Sequence, residues 1–108
     1  MEDLSFREMQ QIQKELQAKY REKWEPVTPE TGRNKLLWAM IEMGEVADII
    51  KKQGDRAIME DAAVREHFTE ELCDVLMYLN DILLCYDIPV SELRRIYLEK
   101  HEKNMKRW

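Results

Sequence analysis

Two pairs of acids carry the chemical content of this chain. Glu42 and Glu45 interrupt the segment Leu36 to Ile50, and Glu71 and Asp74 open the segment Glu71 to Leu84. Both segments are otherwise apolar nearly all the way round, the pattern of helices buried in a core. Residues three apart on a helix share a face, with Cβ atoms about 5–6 Å from each other. Each pair therefore points one way, and Asp48 extends the first ridge by another three residues. Ionised carboxylates withdrawn from water cost several kcal/mol each, and when clustered they raise one another's pKa until some protonate. One or two Mg²⁺ ions remove the difficulty, because Mg²⁺ takes an octahedral shell of oxygens and keeps several waters. A cation held this way lowers the pKa of a bound water and clamps phosphoryl oxygens.

The elements that position these acids are helical. Phe6, Met9, Ile12, Leu16 and Tyr20 form one apolar stripe on a first helix over Ser5 to Lys23, which ends before Pro26. Thr28-Pro29-Glu30 is a helix start, with Thr as N-cap and Pro at the first helical position. The second helix runs to Lys52 and stops at Gly54. Residues 55–67 read equally as a short helix or a loop. A third helix opens at Phe68-Thr69-Glu70-Glu71 and ends near Tyr86-Asp87. A fourth starts at Pro89 or Ser91, with Leu93, Ile96, Tyr97 and His101 toward the inside. Strand signals are absent, so the fold class is all-α, a four-helix bundle protomer in a single domain over 1–108. Gly44, inside the second helix, implies close approach of another helix. Two helices apolar all round exceed what the outer helices of such a chain can cover, which predicts a homodimer or homotetramer with the second and third helices at the interface.

Composition narrows the classes. The chain has 108 residues, 44% hydrophobic and 36% charged, with a formal net charge of −5. That excludes a disordered chain and argues against broad DNA or RNA binding. No run is apolar enough to span a membrane and no signal peptide is visible, so a cytoplasmic location is expected. Cys73 and Cys85, about 18 Å apart on one helix, read as small core residues rather than a disulfide. Cations gather at the end of the chain, in Lys100, Lys103, Lys106 and Arg107. They suit either a polyanionic ligand of a bound metal or the macrodipole of a last helix.

The order Glu42-x-x-Glu45, 25 intervening residues, Glu71-x-x-Asp74 resembles the E-x-x-E…E-x-x-D signature of the MazG-like all-α nucleoside triphosphate pyrophosphohydrolases. Leu37 to Asp48 is similar to that family's first motif helix, and Glu70 to Leu79 to its second. The ending Lys100-x-x-Lys103-Asn104-x-x-Arg107-Trp108 resembles its K-x-x-K-N-x-x-R-aromatic tail. The resemblance covers Asn34 to Trp108. It implies Mg²⁺-dependent, sometimes Mn²⁺-dependent, cleavage of (d)NTPs to (d)NMP and pyrophosphate by a dimer or tetramer. Carried over by position, Glu42, Glu45, Glu71 and Asp74 are the metal ligands. Lys100, Asn104 and Arg107, on one helical face, are phosphate or nucleotide contacts. Some relatives place an acid just before the first Glu; here that position is Ile41, which leaves Glu42 or Glu45 to activate the water. A phosphoribosyl-ATP pyrophosphatase or dimeric dUTPase would differ only in substrate, and a non-catalytic dimeric interaction or regulatory module would keep the acids for structure.

The remaining candidates are open at this level. Trp38 and Tyr78 read as core residues that could otherwise stack on a base. Asp81, seven residues after Asp74, either supports the acid face, reads a base, or joins Asn80 in an interface hydrogen bond. Lys51 and Lys52 face phosphates or cap their helix. His67 and His101 lack an E-x-x-H partner, which argues against a ferritin-like di-iron site.

Overall fold

The computed structural model describes residues 2–108, and among them the structure is helical with no strand. Its elements are α1 (Phe6–Lys19), α2 (Pro29–Gln53), α3 (Asp55–Glu60), α4 (Ala62–Cys85) and α5 (Val90–Arg107). Ser5 caps α1 in a full capping box with Glu8. The chain leaves helical geometry at Lys19 rather than at Lys23, and Trp24 folds back to stack on Tyr20 at 4.7 Å between ring centroids. At the start of α2 the Thr28 N–H donates to the Thr31 hydroxyl, and Pro29 takes the first helical position. Gly54, at φ 85°, closes α2, a backbone conformation that favours glycine.

The segment 55–67 resolves into the one-and-a-half turns of α3 and the opening of α4. The helix expected to start at Phe68-Thr69 starts six residues earlier, because Asp61 Oδ1 accepts from the N–H groups of both Ala63 and Val64. Thr69 instead donates its hydroxyl to the Arg65 carbonyl within α4. Adding α3 makes five helices, and α4 is the hub on which α1, α2 and α3 pack.

The face that α1 presents to α4 joins its apolar stripe to a row of glutamines: Phe6, Met9 and Leu16 are half-buried, and Met9 and Ile12 share a groove with Cys73, Leu76 and Met77 of α4. Ile12 is exposed, whereas Gln10, Gln13 and Gln17 are buried. They are held there by hydrogen bonds: Gln10 Nε2 donates to the Ile88 carbonyl, and Gln13 and Gln17 donate to Asp81. The buried apolar side chains, Ala39, Val46, Ile49, Val75 and Cys85, lie along the α2–α4 seam. Cys85 is buried as expected, but Cys73 is exposed; both are free thiols.

Much apolar surface stays uncovered. Leu36, Leu37, Met40, Ile41, Met43 and Ile50 on α2 and Leu72, Leu76 and Leu79 on α4 are exposed. So is Trp38, expected in the core. Gly44 faces open space, with nothing near where a Cβ would stand, so no helix of the same chain makes the close approach expected there. Among the described residues α5 packs against α1 alone; only Leu93 of its expected inner side is half-buried, while Ile96, Tyr97 and His101 are exposed. The accessible surface is 8765 Å², against about 6,400 Å² for a compact 13.1-kDa monomer. The radius of gyration, 16.3 Å, likewise exceeds the roughly 13 Å of a compact domain this long.

The cap at Asp61 supplies a direct test. Asp61→Ala removes the acceptor for two N–H groups and should lower stability by about 1 kcal/mol. Thr69→Ala, in a helix interior, should be neutral or slightly stabilising by thermal denaturation. Equal losses would restore the helix start to Thr69.

Candidate metal centre

The α2–α4 seam brings three of the four sequence-selected acids together. One carboxylate oxygen each of Glu42, Glu45 and Glu71 lies within 4.8 Å of the others. The geometry arises from two antiparallel helices. On α2 the residues Lys35, Trp38, Glu42 and Glu45 recur at i, i+3, i+7 and i+10, one continuous face. On α4 the residues Glu71, Asp74, Tyr78 and Asp81 do the same in the opposite sense. Glu71 consequently meets Glu42 and Glu45 at one end, while Asp81 meets Lys35 at the other.

Asp74 is one turn along α4 from Glu71. It acts on Glu42 through its charge and lines the adjoining cavity, outside the group of three. Asp48 is drawn off into an exposed ion pair with Lys52 at 2.9 Å, which accounts for both residues. His67, which the sequence pattern does not single out as a site residue, lies one turn before Glu71, its Nε2 3.3 Å from Glu71 Oε1. Lys100, Asn104 and Arg107 do not reach the acids of their own chain. Lys100 and Asn104 line a groove on α5 itself, and Arg107 lies over the Trp108 ring at 4.8 Å.

Among the described residues, His67, when protonated, is the one cation within ion-pair distance of the three acids. Glu42 Oε2 and Glu71 Oε2 are sealed from solvent and accept no hydrogen bond from backbone or side-chain donors. Burial pushes the Glu42 carboxyl up from 4.5 to about 7; the neighbouring Glu71 and Glu45 oxygens, which can share its proton, and the charges of Glu45 and Asp74 push in the same direction. Two occupants relieve such a site: a shared proton, or a cation. A hard divalent ion suits an all-oxygen donor set with buried, unused lone pairs.

On the far side of Tyr78 the same groove opens into a cavity of about 390 Å³. It is the gap between α1 and α2, floored by α4. Gln13, Gln17, Lys35 and Asp81, all nearly buried, meet Trp24, Trp38 and Tyr78 there. Burial raises the Tyr78 pKa, and the negative charges of Glu42, Asp81, Asp74 and Glu45 raise it further, so the phenol keeps its proton. Tyr78 thus stands between the acids and the cavity, in the field of both.

The chain matches no protein-family model, no curated protein and no solved structure.

The raised Glu42 pKa has a defined sign. Without divalent ions, folded Glu42 keeps a proton between pH 4.5 and about 7 that the unfolded chain has released. Stability should therefore fall as pH rises through that window, and Asp81, raised chiefly by burial, adds to the same trend. A cation binds only the carboxylate form. Excess Mg²⁺ should thus raise the melting temperature above pH 7 and have little effect near pH 4.5. Glu42→Gln should abolish that Mg²⁺ response; a Mg²⁺ response independent of pH or of Glu42 would place the ion elsewhere.

Proposed function

We propose that this chain is a divalent-cation-dependent nucleoside triphosphate pyrophosphohydrolase, with Glu42, Glu45, Glu71 and Asp74 as its metal-ligating acids. The observation that carries this reading is the convergence of three carboxylates within 4.8 Å, with two oxygens buried and unused. The E-x-x-E…E-x-x-D and basic-tail resemblance supports it independently. Mg²⁺ or Mn²⁺, when bound, would neutralise these acids, polarise phosphoryl oxygens and make a coordinated water nucleophilic near neutral pH.

The chain's own groups then have distinct tasks. Glu42, Glu45 and Glu71 fix the charge centre on two packed helices rather than on loops, which holds the phosphates in line for displacement. Asp74 extends the acid face toward the cavity. With Ile41 where an extra acid would stand, a carboxylate not fully engaged by metal accepts the proton of the attacking water; Glu45, the exposed member of the three, has the freedom to do so. Water attack on the α–β linkage releases a nucleoside monophosphate and pyrophosphate.

The same reading includes a homo-oligomer. The surface excess of about 2,400 Å² per chain would bury, in a pair, an area typical of obligate dimers. The exposed apolar rows of α2 and α4 contribute to it, as do Tyr97, Met105 and Trp108 on and after α5. Lys100, Asn104 and Arg107 contact phosphates only if a second protomer supplies them, since α5 packs on α1 alone in its own chain.

Two measurements test these statements. A Mg²⁺-dependent screen of NTPs and dNTPs should yield monophosphate and pyrophosphate, and Glu42→Gln, Glu45→Gln, Glu71→Gln and Asp74→Asn should each reduce turnover by at least about a hundredfold while helical circular dichroism persists. Near-normal activity in two of them would defeat the site; no pyrophosphate from any nucleotide, with Mg²⁺ still stabilising the fold, would favour a non-catalytic module. Light scattering at micromolar concentration should return a dimer or tetramer, and a monomer would end the oligomer reading.

A further inference from the structure

The cavity between α1 and α2 contains more polar chemistry than packing requires. Asp81, 3% exposed, accepts two hydrogen bonds on a single oxygen: Gln13 Nε2 at 2.8 Å and Gln17 Nε2 at 3.0 Å reach Oδ1. Among the described residues Oδ2 accepts none, although a carboxylate offers about four lone-pair directions. Because both amide nitrogens face Asp81, both glutamine carbonyl oxygens are turned away from it and remain acceptors. Lys35, 6% exposed, also lines the cavity, and among the described residues its ammonium enters no hydrogen bond or ion pair. That ammonium is not sealed from solvent, so it is open to the cavity, and its positive charge acts on Asp81 from beyond ion-pair distance.

The walls are aromatic and wet. Trp24 and Trp38 line the cavity yet stay 41% and 45% exposed, so their faces are available. A flat aromatic ligand stacks on such faces. The cavity's acceptors, the carboxylates of Asp81, Glu25 and Asp74 and the glutamine carbonyls, outnumber its one cationic donor, Lys35. An edge that answers them carries two or more N–H hydrogens beside a ring nitrogen or carbonyl. Cytosine, adenine and guanine have such an edge through their exocyclic amines; uracil and thymine show two carbonyls flanking one N–H. Position agrees with this. Trp38 and Glu45 are seven residues apart on one helix face, about 10 Å along the axis, the scale of a nucleoside joined to its first phosphate.

We propose that this cavity is a nucleobase site selective for bases bearing an exocyclic amine, with Asp81 accepting from the amine and Lys35 donating to the neighbouring ring nitrogen or carbonyl. This rests on the nucleotide reading of the acid cluster, but it is tested without turnover. In EDTA, tryptophan fluorescence reports binding of CMP, AMP, GMP, UMP and dTMP directly, since Trp24 and Trp38 line the site. The amine-bearing nucleotides should bind about tenfold tighter than UMP and dTMP. Asp81→Asn keeps an oxygen for the glutamines but converts the free acceptor to a donor, and should erase that preference. Lys35→Met, which retains the aliphatic stem, should weaken the amine-bearing ligands about tenfold, and it remains informative if Asp81→Asn does not fold. Equal affinity for all five nucleotides, binding to none of them, or a Lys35→Met variant indistinguishable from the parent would overturn the assignment. Selective binding without any NTP hydrolysis would leave this site standing and remove the pyrophosphohydrolase reading; hydrolysis indifferent to the base and to both variants would do the reverse.

Discussion

The structure turns on a cluster of negative charge for which its own groups offer one cationic partner at most, His67 beside Glu71. Glu42, Glu45 and Glu71 face one another across the α2–α4 seam, and the lysines nearest in sequence are engaged or distant. Lys52 pairs with Asp48. Lys35 lies at the opposite end of the groove, with Asp81. Left alone, the cluster resolves its repulsion by keeping a proton on Glu42 near neutral pH. A polypeptide selected for stability alone would place leucine there, since buried ionic groups seldom add net stability over apolar ones of similar volume. The cost is intelligible if the site exchanges that proton for a cation during its work.

The rest of the protomer serves this seam. Small and β-branched side chains, Ala39, Val46, Ile49 and Val75, let α2 and α4 pack closely enough for acids on both to meet. Short α3 returns the chain so that α4, capped by Asp61, runs antiparallel to α2. α1 is held to α4 by glutamines as well as by its half-buried apolar stripe, and it stands off from α2 far enough to leave a cavity between them. The uncovered apolar rows and the unembraced α5 are the surfaces that the proposed homo-oligomer would cover.

What the sequence discloses depends on the range over which its signals act. Helical class, the caps at Thr28 and Gly54, and the shared face of Glu42 with Glu45 are local, set by neighbours within one or two turns. The meeting of those acids with Glu71 needs only two antiparallel helices joined by a short connection. Asp61 as the cap of α4 is masked by Thr69, an equally plausible cap residue that here bonds back into its own helix. The inward face of α1 is only half legible, because glutamines beside its apolar stripe take the most buried positions. The residues that decide it, Gln13 and Gln17, answer to Asp81 across 68 and 64 positions of chain, and no periodicity encodes a partner so distant. Lys35 and the exposed side of Trp38 escape for the same reason: the cavity exists only once three helices are assembled. Gly44 is the opposite case, a local irregularity whose expected neighbour is absent from its own chain.

The most direct measurement is an anomalous-scattering crystal structure of the protein soaked with Mn²⁺ above pH 7, where Glu42 is ionised. The account predicts a Mn²⁺ peak held by Glu42, Glu45, Glu71 and Asp74, with ligand oxygens at about 2.0–2.3 Å and the formerly unused Oε2 atoms among them. An empty cluster whose carboxyl groups stay paired through a shared proton, with manganese bound elsewhere or nowhere, would contradict it.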